Sequence, residues 1–222
     1  MKTVSLVVPG STQERIMEVR THWENVYETK AVTEVSWFQE HAETSFRLIE
    51  RAGVAKTGQI IDVGGGASTL VDDLLNAGYR NVTVLDISAQ ALHAAQGRLG
   101  PQAAAVTWIA ADITAAHLPR RHYDVWHDRA VFHFLTEEEN RRKYVEAVQR
   151  SVKPGGHVIV ATFGPNGPLQ CSGLPVRRYD PDGLHDEFGD AFQLVEHMSE
   201  EHHTPFGTVQ QFIYCYCRKE TR

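Results

Sequence analysis

Asp62-Val63-Gly64-Gly65-Gly66-Ala67-Ser68 sets a carboxylate, three glycines and a hydroxyl at the end of the apolar run Gln59–Val63. The run reads as a buried strand, the glycines as a turn that lets backbone approach a ligand closely, and Ala67–Ala77 as the helix that follows. The pattern Gly64-x-Gly66-x-x-Thr69 lacks the third glycine of the dinucleotide fingerprint. Asp86 follows about 20 residues later, at the end of Val82-Thr83-Val84-Leu85-Asp86-Ile87, where an acid can accept from both hydroxyls of a ribose. Its competing reading is a solvated acid that opens a turn. Asp112, in Ala110-Ala111-Asp112-Ile113, sits where a carboxylate can accept from the exocyclic amine of adenine while Ile113 packs on the ring. An N-cap for Thr114-Ala115-Ala116 competes with that role. Asp62 decides the sign of the ligand. A carboxylate beside the glycine turn repels a pyrophosphate, whereas the ammonium and sulfonium of S-adenosylmethionine are attracted to it.

These residues need a scaffold that brings strand ends together. Strands are expected at Gln59–Val63, Val82–Asp86, Val106–Ala110, Tyr123–His127 and His157–Phe163, with helices at Ala67–Ala77, Ser88–Leu99 and Thr136–Ser151 between them. Ser88 reads as an N-cap and Thr136-Glu137-Glu138-Glu139 as a capping box. Lys153-Pro154-Gly155-Gly156 reads as a turn before a new strand. The alternation argues for a parallel sheet with helices on both faces. Ala191–Ser199 and Val209–Arg218 are joined without a helix and are expected to form an antiparallel hairpin at one edge of the sheet. Two helices, roughly Thr12–Lys30 and Trp37–Ala52, precede the rhythm and are expected to lie over the carboxyl ends of the strands. Residues 1–53 therefore read as a helical lid, and 54–222 as one compact core. Pro165–Arg178, rich in Gly and Pro, reads as a long irregular loop.

Composition narrows the class. The chain has 222 residues, 42% hydrophobic and 23% charged, with a net charge of -6. That suits a folded domain with a real core. It disfavours a nucleic-acid binder that relies on neutralising phosphates. No apolar run reaches membrane-spanning length, and Val4–Val8 is short for a secretory signal, so a cytoplasmic protein is expected. Three cysteines, Cys171, Cys215 and Cys217, argue against a disulfide framework. With His202-His203 they show no zinc-like spacing, and no metal is expected.

Ile61-Asp62-Val63-Gly64-Gly65-Gly66, Val84-Leu85-Asp86-Ile87, Ala111-Asp112-Ile113, Tyr123-Asp124-Val125-Trp126-His127-Asp128 and Lys153-Pro154-Gly155-Gly156-His157 together resemble the motifs of the class I S-adenosylmethionine-dependent methyltransferases. The resemblance runs from about Gln59 to Arg218. It implies a Rossmann-like α/β sheet of seven strands, mostly parallel, whose last strand is antiparallel between the fifth and sixth. His22-Trp23-Glu24, Val35-Ser36-Trp37-Phe38-Gln39 and Asp128-Arg129-Ala130 are similar to two subgroups, the thiopurine and thiol S-methyltransferases and a set of protein-lysine methyltransferases. The implied cofactor is S-adenosyl-L-methionine. The expected site comprises Tyr27, Trp37, Asp62, Gly64, Gly65, Gly66, Ser68, Asp86, Ile87, Asp112, Ile113 and His127 for the cofactor. His127, Asp128 and His133 are the expected catalytic groups. His127 can contact the methionine part or act as a base, its ordinary pKa being near ~6.5. Its bland alternative is a half-buried structural histidine. The expected reaction is methyl transfer to a small-molecule thiol or amine. A protein-lysine methyltransferase and a non-catalytic cofactor-binding module are the alternatives.

Overall fold

The computed structural model describes residues 12–221. Nine strands and six α-helices alternate among these residues. The large sheet uses β1 (Gln59–Val63), β2 (Asn81–Asp86), β3 (Val106–Ala110), β4 (Tyr123–Arg129), β5 (Val152–Phe163), β8 (Phe192–His203) and β9 (Val209–Lys219). Their order is β3-β2-β1-β4-β5-β9-β8. The first five run parallel, and β9 lies antiparallel between β5 and β8. This is the expected seven-stranded Rossmann-like sheet with its C-terminal hairpin.

Two apolar layers cover the sheet. Ile60, Val82, Val84, Val125, Ile159 and Ala161 face one way, toward α2 (Glu43–Arg51), α3 (Leu70–Asn76) and α4 (Ala89–Leu99). Ile61, Val63, Leu85, Trp126, Val158 and Val160 face the other, toward α5 (Glu138–Ser151) and α6 (Pro181–Asp186). Strands buried on both faces read as continuous apolar runs, which is why these segments stood out.

Four local expectations need correction. The stretch from Trp37 is not helical: a short 3-10 turn spans Val32–Glu34 and α2 starts only at Glu43. Trp37 packs edge-on against Trp23 and Tyr27, the Gln39 carbonyl accepts from Thr69, and the Phe38 N–H closes a turn on the Val35 carbonyl, so the segment is held in a non-helical turn. The capping box at Thr136 does not form. The N-cap of α5 is Glu137 without a side-chain cap, and the Thr136 carbonyl is taken by Arg141. The Lys153–Gly156 turn is an irregular start to β5, where the register with β4 shifts. The 165–178 segment contains a two-stranded ribbon, β6 (Gln170–Cys171) and β7 (Leu174–Pro175). Ser172 and Gly173 turn it with positive φ, the geometry of tight hairpins.

Helix α1 (Thr12–Thr29) is tied to the sheet by a contact that no local pattern signals. The N-cap at Ser88 is present, its hydroxyl accepting from the Ala91 N–H. The Glu24 carboxylate, reaching over from α1, accepts from the Ala89 and Gln90 N–H groups and from the Ser88 hydroxyl. It therefore satisfies the orphan donors at the start of α4 and sits at the positive end of that helix. Burial pushes its pKa up, but the hydrogen bonds from Ser88, Gln90 and Ala89 outweigh this and leave it lowered. Glu24→Ala is expected to cost about 1 kcal/mol in urea unfolding. It should also speed hydrogen exchange in α1 selectively, leaving the sheet strands protected.

Candidate functional site

Parallel strands end at one rim, and the side-chain period of two decides which residues face it from each layer. In the parallel pairing of β1 with β4, Asp62 stands opposite His127. Their side chains meet: His127 Nδ1 and Asp62 Oδ1 lie 2.7 Å apart, with both residues buried. The other ring nitrogen, His127 Nε2, is buried and finds no partner among the described residues.

After β1 the chain turns at Gly64 and Gly66, both with positive φ, where a β-carbon would be strained. There is also no room for one. A Cβ on Gly64 would meet Val131 Cγ2 at 1.9 Å, and one on Gly66 would meet Asp86 Oδ2 at 2.7 Å. A Cβ on Gly65 would meet Asp62 Oδ2 at 2.5 Å. The carboxylates of Asp62 and Asp86 thus press directly on the turn. Arg98, from α4, pins the following residues by donating to the Ala67 and Ser68 carbonyls while pairing with Asp72. This contact joins separate segments and leaves no short-range signal.

A cleft of two lobes opens above the turn. The smaller lobe, about 570 Å³, is lined by Asp62, Gly64, Gly65, Ser68 and His127. The larger, about 870 Å³, is lined by Asp86, Ile87, Asp112 and Ile113 at one end and by Phe134, Phe163, Cys171 and Phe212 elsewhere. Tyr27, Trp37, Gly64 and Arg129 belong to the walls of both. The sequence-expected Tyr27, Trp37, Asp62, Gly64, Gly65, Ser68, Asp86, Ile87, Asp112, Ile113 and His127 therefore come together around one cleft, with Gly66 beneath Asp86. Trp23, Tyr27, Trp37 and Phe134 form a cluster of rings at its edge, with centroids 5.2–6.5 Å apart.

The acids differ in how much of each is free. Asp86 Oδ1 accepts from the Ser88 N–H, and Oδ2 is the oxygen nearest Gly66. Burial pushes its pKa up to about 7, helped by the nearby carboxylates of Asp62 and Glu24. Asp112 Oδ1 accepts from the N–H and hydroxyl of Thr114, so the turn-capping reading holds for that oxygen. Burial and the charge of Asp86 raise the Tyr27 phenol well above its ordinary value.

Two of the expected catalytic groups are elsewhere. Along β4, Val125, His127 and Arg129 face the cleft side, and Trp126 and Asp128 face the opposite layer. Asp128 is fully buried there, accepting from the Val131 and Phe132 N–H groups and from the Tyr144 hydroxyl. It caps the turn after β4 and does not line the cleft. Nor does it pair with Arg129, which bonds to Glu200 on the other face. His133 is also fully buried and absent from the cleft walls. Its Nδ1 accepts from the Phe163 N–H, and burial pushes its pKa down to about 3. Among the remaining candidates, Cys215 and Cys217 pack sulfur to sulfur at 3.2 Å in the core. His202 bonds to the Ser36 carbonyl.

The fold and cleft define a Rossmann-like methyltransferase architecture. Residues 60–156 match the model of a methyltransferase domain. The chain is 26% identical over 187 residues to a malonyl-[acyl-carrier protein] O-methyltransferase of a Paenibacillus species, covering 82% of this chain and 65% of the relative. It is 29% identical over 143 residues to a ubiquinone biosynthesis O-methyltransferase of Cronobacter sakazakii, covering 63% and 58%. The chain thus spans less than two thirds of these curated relatives. In fold it resembles 1,6-didemethyltoxoflavin-N1-methyltransferase of Burkholderia thailandensis, solved with S-adenosylhomocysteine bound. The TM-score is 0.69 at 17% identity, covering 99% of this chain and 93% of that one. Residues 60–156 thus carry a methyltransferase domain, and the fold around them is that of the class I S-adenosylmethionine-dependent methyltransferases. The narrower likeness to thiol and protein-lysine enzymes is not carried further by these relatives, which bear O- and N-methyltransferase names.

The residues fit the cofactor of that family. Carboxylates flank a turn with no space for a β-carbon, a buried histidine nitrogen lacks a partner, and aromatic rings adjoin the cleft. Asp128→Ala would leave two N–H groups and a phenol without their acceptor. It is expected to lower stability by about 3 kcal/mol in urea unfolding, while the remaining folded protein keeps its affinity for S-adenosylhomocysteine.

Proposed function

We propose that this protein binds S-adenosylmethionine in the two-lobed cleft and transfers its methyl group to a small molecule with an apolar body. The observation that carries the reading is the pair of buried carboxylates, Asp62 and Asp86, against a glycine turn beneath aromatic rings. Such a pocket suits a cation with an adenosine arm and disfavours a pyrophosphate.

Bound there, the cofactor supplies a methyl group on a sulfonium, a leaving group that needs no activation. The residues then have to bind, orient and exclude water. Asp86 Oδ2 accepts from the ribose diol. Asp112 offers its second oxygen to the adenine amine, with Ile113 and Ile87 along the ring. His127, its ring fixed by Asp62, and Ser68 border the methionine part. Tyr27 and Trp37 present ring faces to the positive charge.

A small acceptor is favoured over a lysine side chain of a protein. The larger lobe is roofed by Val19, Trp23 and Tyr27 of α1, which suits an enclosed molecule better than an open peptide groove. A non-catalytic module would bind the cofactor but pass no methyl group to any extracted metabolite. Incubation with methyl-labelled cofactor and a lysate separates these readings. Label in small metabolites supports the proposal, label in protein bands supports the lysine reading, and binding without transfer supports the module.

The ribose role of Asp86 sets a pH dependence. A diol donates to the ionised acid, and in the free protein the acid titrates near pH 7. Below that pH, binding must displace a proton, so affinity falls as pH falls. Calorimetry with S-adenosylhomocysteine is expected to show Kd rising about tenfold from pH 8 to pH 6. Asp86→Asn should weaken binding and flatten this profile.

A further inference from the structure

We infer that Arg129 anchors an anion on the methyl acceptor, which makes the acceptor a carboxylate or thiolate carried on an apolar body. The inference rests on the methyl-transfer reading above and names its substrate class.

Arg129 is the one Lys or Arg among the described residues lining either lobe, and it stands in the wall shared by both. Its side chain is only 10% exposed and is held from three directions. Nε–H donates to the Tyr214 hydroxyl at 3.1 Å, Nη1 to the Trp37 carbonyl at 3.3 Å and Nη2 to Glu200 at 3.2 Å. The guanidinium lies 4.1 Å over the Phe212 ring. These contacts leave the second hydrogen on each Nη uncommitted. Glu200 lines a separate surface cleft and neither lobe, so it reaches the guanidinium from outside. A planar cation fixed in this way recognises a carboxylate with little further ordering.

Among the described residues, the larger lobe also has no proton acceptor away from its adenosine end. Its titratable groups there are Arg129, Cys171 and Tyr27. Burial pushes the Cys171 thiol up to about 11, and the Tyr27 phenol is raised further. Both stay protonated at neutral pH. His127 and Asp62 line the smaller lobe only. An alcohol or an ammonium would have to give up a proton to some base, whereas a carboxylate or thiolate arrives without one. The acceptor's lone pair forms the bond to the methyl carbon as the carbon–sulfur bond breaks, and that electron pair returns to the sulfur. An anion and a sulfonium become an ester or thioether and a neutral sulfide, with no proton transferred. The neutral product no longer pairs with Arg129, which favours its release. Of the thiol and amine expected from sequence, the thiol fits this site, while an ammonium is repelled by the guanidinium.

The test uses the protein saturated with S-adenosylhomocysteine and four probes: octanoate, thiophenolate, octylammonium and 1-octanol. Failure of the wild-type protein to bind S-adenosylhomocysteine would sink the methyl-transfer reading before any probe is added. With the cofactor product bound, calorimetry is expected to show uptake of octanoate or thiophenolate in preference to the other two. Arg129→Gln should weaken that uptake by about tenfold or more without changing affinity for S-adenosylhomocysteine. Glu200→Gln, which leaves the guanidinium in place and removes its counter-charge, should tighten it. Three results would each overturn the assignment. They are equal or better binding of octylammonium or octanol, no binding of either anion, and an Arg129→Gln loss that falls equally on S-adenosylhomocysteine. The last would place Arg129 on the cofactor's own carboxylate.

Discussion

The parallel pairing of β1 with β4, Asp62 opposite His127, is the constraint from which the cleft follows. Because side chains alternate, this one register fixes the face of every residue near the rim. It puts His127 and Arg129 beside the glycine turn and sends Asp128 into the opposite layer. A slip of one residue would exchange them, burying a guanidinium against Tyr144 and Val148 of α5 and turning Trp126 and Asp128 toward the cleft. The apolar residues between them, Ile60 and Val125 on one side and Ile61 and Trp126 on the other, prevent that slip by filling two different layers.

Holding several carboxylates around one turn has a cost that the fold meets unevenly. Asp62 is offset by His127, and Asp112 by the backbone and hydroxyl of Thr114. Asp86 is buried with two backbone N–H groups, of Ser88 and more weakly Ile87, and lies near two other acids; burial first and those charges second hold its proton to about pH 7. In an unfolded chain the same acid would titrate near ~4, so between these values the folded state binds the extra proton. Stability from this group therefore falls as pH rises from about 4 to 7. A cationic ligand with hydroxyls to donate would relieve both the repulsion and the missing hydrogen bonds, so the least satisfied acid is the one best placed to gain from binding. Glu24 adds to the same crowding while stabilising the start of α4, and it links the roof of the cleft to the acid beneath it.

Features set by local rules could be read from the residues. The strand runs, the glycine turn, the Ser88 cap and the C-terminal hairpin all follow from short-range patterning, and all are present. The departures have non-local causes. Trp37 and Phe38 look like the start of a helix until Trp23 and Tyr27 are brought against Trp37 from another segment. Thr136 has the right neighbours for a capping box, but Arg141 captures its carbonyl. Glu24 and Arg98 complete the site through partners about 30 to 65 residues away, a range at which sequence gives no pattern. Asp128 is a different case. Strict alternation from His127 assigns it to the other face, so its place is legible in the strand's period of two.

The cleft also contains its own account of how a reaction there would run in one direction. On the proposed reading, its acidic half favours the charged sulfonium over the neutral sulfide left behind, and its basic corner favours an anionic acceptor over the neutral methylated product. Each charge that draws a reactant in is cancelled in the other half of the same step. At the reacting centre both products are therefore held by packing and neutral hydrogen bonds, which are weaker than the charge-assisted contacts of the sulfonium and the anion that they replace. Separating the two centres is what allows this. Asp62 and Asp86 are built into β1 and β2, and Arg129 ends β4 with Glu200 and Phe212 behind it. The guanidinium is thus neutralised from outside the cleft and not by the acids within it. Had Arg129 paired with Asp62 or Asp86, the cleft would be stable when empty and would have little reason to bind either reactant.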